Sequence, residues 1–186
     1  MKIFSVLILA LVILSSTMRG QEAIPWSEDR LLTWDDFQHK APKHHVASAM
    51  SDITFKVDIK SDGELLKVFI GPSFNPDGSW GKEKDRNDYL LKHEQVHFDI
   101  YEVNARKLRK ELRTKTLTSV NASSTINHLM EKYNKLNSTV QERYDSETNH
   151  SIEVKKQEKW NAEIADELKE YSEFSSPEFD VPIEMK

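Results

Sequence analysis

The chain has 186 residues, with 31 acidic and 26 basic side chains, no cysteine and a formal net charge of −5. That length suits one domain. The lack of cysteine excludes disulfide staples, thiolate-held zinc, thiol nucleophiles and a lipid-modified N-terminal cysteine, so any metal must be held by His, Asp or Glu. An acidic chain without a basic stripe lacks the counterion release that drives nucleic-acid binding, so no nucleic-acid partner is expected.

Met1-Lys2, an apolar run from Ile3 to Leu14, and the small polar stretch Ser15 to Gly20 have the layout of a secretory signal peptide. The run is well short of the roughly 20 apolar residues that a bilayer-spanning helix needs. Residues 1–20 are therefore expected to be cleaved, leaving a secreted or periplasmic product with no stable membrane span. Losing Lys2 and Arg19 brings the net charge to about −7.

The segment Leu31 to Phe37 follows, with Trp34 and Phe37 spaced as anchors to a core. His39, His44 and His45 come next, in a spacing that matches no closed metal site, and read as a solvated loop. Ile53, Phe55, Val57 and Ile59 alternate with polar residues, a half-buried strand. Asp62-Gly63 is turn chemistry. Leu66, Val68 and Ile70 then make the second strand of a hairpin that Gly71-Pro72 would end. The strand Leu65 to Ile70 is a candidate edge for main-chain pairing with an extended peptide.

Phe74 to Asp85 reads as a loop anchored by Trp80. A helical pattern begins near Asn87, capped by Asp85 or Asn87, and continues to about Arg113. Its first half is apolar on several sides. Its second half is basic except at Leu108 and Leu112, as for a helix that emerges from a core. Thr114 to Ser124 has no period and reads as a connector. A second helix carries Ile126, Leu129, Met130, Tyr133, Leu136, Val140 and Tyr144 on one stripe. A third, after His150, carries Trp160, Ile164, Leu168 and Tyr171. Residues 173–186 read as an extended acidic C-terminal tail.

Within the first helix stands His93-Glu94-Gln95-Val96-His97. Histidines four apart differ by about 40° in azimuth, so both imidazoles can reach one ion, and Glu94 beside them is placed to activate a water there. Polar groups inside the apolar flanks Leu90, Leu91, Phe98 and Ile100 are expensive unless satisfied, which a metal would do. A catalytic zinc needs a third protein ligand and an open position. The position six residues past His97, where metzincins carry their third histidine, is Val103. Glu111 and the later glutamates remain formal candidates. The stronger ones are Asp145 and His150, in Tyr144-Asp145-Ser146-Glu147-Thr148-Asn149-His150-Ser151.

Four segments occur in order: Leu32-Thr33-Trp34-Asp35-Asp36-Phe37, Leu90 to Ile100 around the two histidines, Ala105-Arg106-Lys107-Leu108-Arg109, and Tyr144-Asp145 with Thr148 and His150. Together they resemble the bacterial predicted secreted zinc-dependent proteases catalogued as domain of unknown function 922, over about residues 31 to 168. The resemblance implies a zincin-like metallopeptidase with His93, His97 and a residue of the last segment at zinc. Two glycines usual in that family are replaced here, by Val96 and by Ser151. Glycine at the second position would end a helix by adopting positive φ.

Imidazole suits zinc at least as well as carboxylate, which favours His150 as third ligand over Asp145. Five residues apart on a continuous helix they would differ by about 140°, so His150 requires the helix to bend or end near Thr148. Asp145 would then orient a ligand imidazole. Tyr144 is a candidate donor to a developing oxyanion, with a core position equally compatible.

The sequence thus predicts an α+β, zincin-like fold: a small β-hairpin or sheet, an active-site helix and two further long helices. Residues 21–172 form the metallopeptidase domain. The expected activity is hydrolysis of a peptide or protein substrate, with Zn2+ as cofactor and Glu94 as general base. A non-catalytic, zinc-stabilised envelope binding module is the alternative.

Overall fold

The computed structural model describes residues 21–61 and 64–184, so the expected signal peptide and the Asp62-Gly63 turn lie outside the described residues. The elements are β1 (Ile24–Pro25), β2 (Ala49–Met50), β3 (Ile53–Ser61), β4 (Leu65–Phe74), β5 (Trp80–Gly81), α1 (Asp88–Arg113), β6 (Leu117–Thr118), α2 (Ala122–Thr148), α3 (Val154–Glu170) and β7 (Glu178–Glu184). The class is α+β. No helix among the described residues is long and apolar enough to cross a membrane.

The hairpin forms as the alternation predicts, with Val57 opposite Ile70 and Ile59 opposite Val68. It does not stop at Gly71-Pro72. Pro72 pairs with Phe55, and its carbonyl accepts from the Trp26 amide at 3.1 Å, so the strand runs on to Phe74. Proline is tolerated here because its carbonyl, not the N–H it lacks, makes the bond.

Nor is β4 an edge. β3 lies along one side of it; β7, then β1 near Phe74, fill the other. The strand proposed from sequence as a template for a peptide is therefore already paired on both sides. What fills its second edge is the C-terminal segment, whose Val181 is buried in the core opposite Leu66. The acidic stretch is extended, as its composition suggests, but it forms a strand. Beyond it, Leu117 and Thr118, in the segment read as a connector, pair in parallel with Ile183 and Glu184.

Leu66, Val68, Ile70 and Val181 on this sheet pack against Leu108 and Leu112 of α1 and Ile126, Leu129 and Tyr133 of α2. A second cluster joins Val96, Ile100 and Val103 of α1 to Tyr144, Trp160 and Ile164, so α1 is wedged between the sheet and the other two helices. A third holds the N-terminal segment through Leu32 and Phe37 against Phe74 and Phe98. Burying each such side chain contributes about 1.5–3 kcal/mol.

Most of the second half of α1 does not emerge; only Lys110 and Arg113 there are exposed. Arg106 and Arg109 are 3% and 1% exposed. Glu102, one turn or two before them, accepts from both guanidinium groups at 2.8–3.0 Å. Basic side chains were buried here because a partner on the same helix neutralises them, and the C-terminal segment covers them.

Asp99, also on α1, accepts from Trp26 Nε1 and Gln95 Nε2, each at 2.8 Å on Oδ1. Burial raises its pKa, more than these two bonds and Arg106 lower it. A raised carboxyl contributes stability fully below the ordinary carboxylate range and loses it as pH rises through the folded value. Asp99→Asn keeps an Oδ1 acceptor for both bonds. It should therefore melt higher than wild type at pH 7, with the advantage vanishing as pH approaches the ordinary carboxylate range. Thermal melts of both proteins across that range check the sign.

Candidate metal centre

α1 begins with the Asn87 side chain accepting from the Leu90 amide at 2.9 Å, which sets the helix phase one turn before His93. His93 and His97 then project side by side, with ring centroids 4.7 Å apart and planes at 88°. α2 crosses this face and supplies Asp145. Its Oδ1 lies 3.2 Å from His93 Nε2 and 3.1 Å from His97 Nε2, and the two Nε2 atoms are 3.1 Å apart. Among the described residues these three are the group of His, Asp or Glu side chains that could hold a metal ion.

Two glutamines decide what these atoms are. Gln141 Nε2 donates to the His97 carbonyl at 3.0 Å, so its Oε1 is the atom facing His97 Nδ1. Gln157 Nε2 donates to Asn161 Oδ1 at 2.8 Å and to the Tyr144 hydroxyl, so its Oε1 faces His93 Nδ1 at 2.7 Å. Both Nδ1 atoms must donate, which leaves both Nε2 atoms as lone pairs in the neutral rings. Three acceptors thus point at one another across 3.1–3.2 Å. That arrangement is repulsive unless a cation or protons lie between them. Ligands about 2.0–2.1 Å from a tetrahedral zinc stand roughly 3.3 Å from each other, so the donor set fits the ion.

Protons leave the same signature. Burial disfavours the His97 imidazolium, but the Asp145 hydrogen bond and the charges of Glu94 and Asp145 outweigh it and raise the pKa. Burial alone would raise Asp145; hydrogen bonds and charge from His93 and His97 hold its carboxyl well below the usual range.

Glu94 is 4% exposed, and Ser51 Oγ donates to its Oε2 at 2.6 Å. Ser51 directly follows β2, which is held by β5. β5 in turn lies against Trp34, where a Cβ on Gly81 would meet the indole at 2.5 Å, so glycine is required for that approach. β2 and the loop before it form one wall of an open cleft of about 990 Å³ with Glu94, His97 and Asp145 in its lining.

Asn149 to Ile152 form another part of its lining. α2 ends at Thr148, and Asn149, His150 and Ser151 take φ of 48°, 50° and 72°. This left-handed run is held by His150 N to Asp145 O at 2.9 Å and Glu153 N to Thr148 O at 2.8 Å. It places His150 at the rim, its side chain 69% exposed and its Nδ1 3.5 Å from Asp145 Oδ1, outside the cluster of three. Ser151 occupies a position that costs a non-glycine residue about 1–2 kcal/mol. After the extra unfolded-state entropy of glycine, Ser151→Gly should still raise the free energy of unfolding by about 1 kcal/mol. A denaturant titration checks this.

Tyr144 is fully buried, 0% exposed, and stacks on His93 at 4.7 Å. Its hydroxyl donates to the His93 carbonyl at 3.2 Å and accepts from Gln157. Burial, and then the charges of Glu94 and Asp145, push its pKa up, despite the opposing bond from Gln157. This side chain faces the helix backbone and positions His93.

Sequence reasoning passed over Gln141, Gln157 and Ser51. Gln141 stands one turn before Asp145. Gln157 stands three before Trp160, a polar residue on an apolar stripe, and that misfit was its signal. Nothing local marks Ser51, which lies 43 positions from Glu94.

Residues 79–151 match the family described as bacterial protein of unknown function (DUF922). This is the family whose resemblance the sequence carries, and the match spans β5, α1, β6, α2 and the left-handed turn. It therefore includes every residue of the three-ligand cluster and Glu94. No curated protein and no solved structure matches the chain.

Proposed function

We propose that this DUF922 protein is a metal-dependent hydrolase that cleaves peptide bonds, with His93, His97 and Asp145 holding zinc. The observation that carries it is the convergence of three lone-pair atoms, two of them on rings fixed by Gln141 and Gln157, in an open cleft beside Glu94. A bound zinc would polarise the scissile carbonyl and lower the pKa of water.

The chain's own residues supply the rest. Glu94, steadied by Ser51, takes the proton of the attacking water and delivers it to the leaving amine. Gln141, Gln157 and Tyr144 keep the ligand rings in orientation, as outer partners of metal-bound histidines do. The wall strand β2 supports a peptide substrate. Ser48 O accepts from Lys82 N at 2.8 Å and Met50 pairs with Trp80, so the main-chain groups of Ala49 project from the other edge of the strand. An extended peptide can pair there, as it cannot on β4. Openness to a cleft of this size separates this reading from a closed structural zinc site, in which all four positions are protein ligands.

Metal analysis of purified wild type, Asp145→Ala and His150→Ala tests the assignment. Wild type should carry one zinc per chain, His150→Ala should retain it, and Asp145→Ala should bind it at least about 10–100-fold more weakly. Retention in Asp145→Ala with loss in His150→Ala would move the third ligand to His150. A wild type that takes up no zinc sinks the metal reading.

A further inference from the structure

Large apolar side chains that a fold leaves in solvent usually mean nothing when scattered, and mark a binding surface when they gather. Eight are exposed among the described residues, and three of them, Val46 (96%), Met50 (41%) and Ile152 (69%), line the one cleft that holds the metal centre. They come from two separate segments of its wall: Val46 before β2 and Met50 on it, and Ile152 on the segment that follows α2.

Neither segment is loose. His45, next to Val46, has its carbonyl bound by Lys82 Nζ and its ring edge-on to Trp80 at 5.0 Å. Ile152 is held out by the three left-handed residues before it, with its amide on the Asn149 carbonyl at 3.2 Å. Non-glycine residues persist in such backbone only where the surroundings impose it, and such strain gathers at ligand sites. A chain that wanted Ile152 inside its core has no use for that turn. The edge of β2 that lines the cleft favours an extended ligand, whose successive side chains alternate in direction and can meet both.

Building on the hydrolase reading, we infer that this cleft selects an extended peptide segment with large aliphatic or aromatic side chains next to the scissile bond. Val46 and Met50 receive them beside β2, and Ile152 on the segment that follows α2. These three residues set specificity and take no part in the bond cleavage.

The test is peptide binding to zinc-loaded Glu94→Gln, which separates recognition from turnover. Two fluorescent decapeptides of equal charge serve as probes, one with Leu and Phe at its four central positions and one with Ser and Gln there. The apolar peptide should bind about tenfold tighter or more. Ile152→Asp and Met50→Lys should each erase most of that difference. Val120→Asp, at an exposed apolar residue away from the cleft, should leave it unchanged. Equal affinity for the two peptides, no binding of either, or indifference to both wall substitutions overturns the inference. Turnover by wild type separates the two readings. Cleavage without apolar preference defeats only the specificity. Selective binding without any cleavage by wild type defeats only the hydrolase.

Discussion

On the proposed zinc-hydrolase reading, Glu94→Gln is expected to give a folded, zinc-loaded protein whose peptide hydrolysis falls by about 10²–10⁴-fold, the usual contribution of a general acid–base group. The substitution is nearly isosteric, and the amide oxygen can still accept from Ser51 Oγ, so the anchoring of β2 over the helix is retained. The cluster of His93, His97 and Asp145 is untouched, because Glu94 is not a member of it. What disappears is an anionic oxygen able to accept a proton. Initial rates on a fluorogenic peptide, read beside zinc content and the thermal midpoint, separate these effects. Loss of zinc together with activity would make Glu94 structural. Full activity would remove it from the chemistry.

Arg109→Met should destabilise the fold by about 3–5 kcal/mol, the range seen when one member of a buried ion pair is removed. The Arg109 side chain is 1% exposed and gathers three separate parts of the chain. Its Nε reaches the Ile70 carbonyl of β4 at 2.9 Å, and its Nη1 reaches Phe174 O and, at 3.2 Å, Ser175 O in the segment leading to β7. Nη1 and Nη2 meet both oxygens of Glu102. Methionine fills the space and leaves Glu102, 2% exposed, with Arg106 as its remaining charged partner, and three carbonyls short of a donor. Pairing it with Glu102→Leu should deepen the loss, since Arg106, 3% exposed, then loses the carboxylate that its Nε reaches at 2.8 Å. Urea unfolding of the single and double variants measures both. A single variant within 1 kcal/mol of wild type would show that the cluster contributes little.

The parts of this molecule that were legible from sequence are those with a local period. Alternation from Ile53 to Ile59 and from Leu66 to Ile70 located the hairpin, and the four-residue spacing of His93 and His97 placed two imidazoles on one side of a helix. The end of α2 near Thr148, which His150 would require as a ligand, is where the helix stops. The left-handed position implied by the missing glycine is the φ of 72° at Ser151. Azimuth within one helix cannot say how another helix crosses it, and so the placement of Asp145 in the cluster and of His150 at the rim belongs to packing. Ligand chemistry alone favoured the imidazole.

Long-range partners were equally silent. The basic second half of α1 looks solvated because the residues that cover it, Phe174 and Ser175, lie more than sixty positions away. A still longer separation hid the strand that makes β4 interior. Conversely the strand edge that lines the cleft sits on β2, a two-residue strand with too few positions for any alternation to register.

β7 enters the sheet between β4 and β6 although it comes last in the chain, and its partners on β4 precede it by over a hundred positions. Closing so long a loop is entropically unfavourable until the intervening helices have packed. The sheet can therefore be finished only after those last residues have been synthesised, and the guanidinium cluster beneath them stays uncovered until then. Until β7 docks, one side of β4 stays unsealed and open to pairing with other strands.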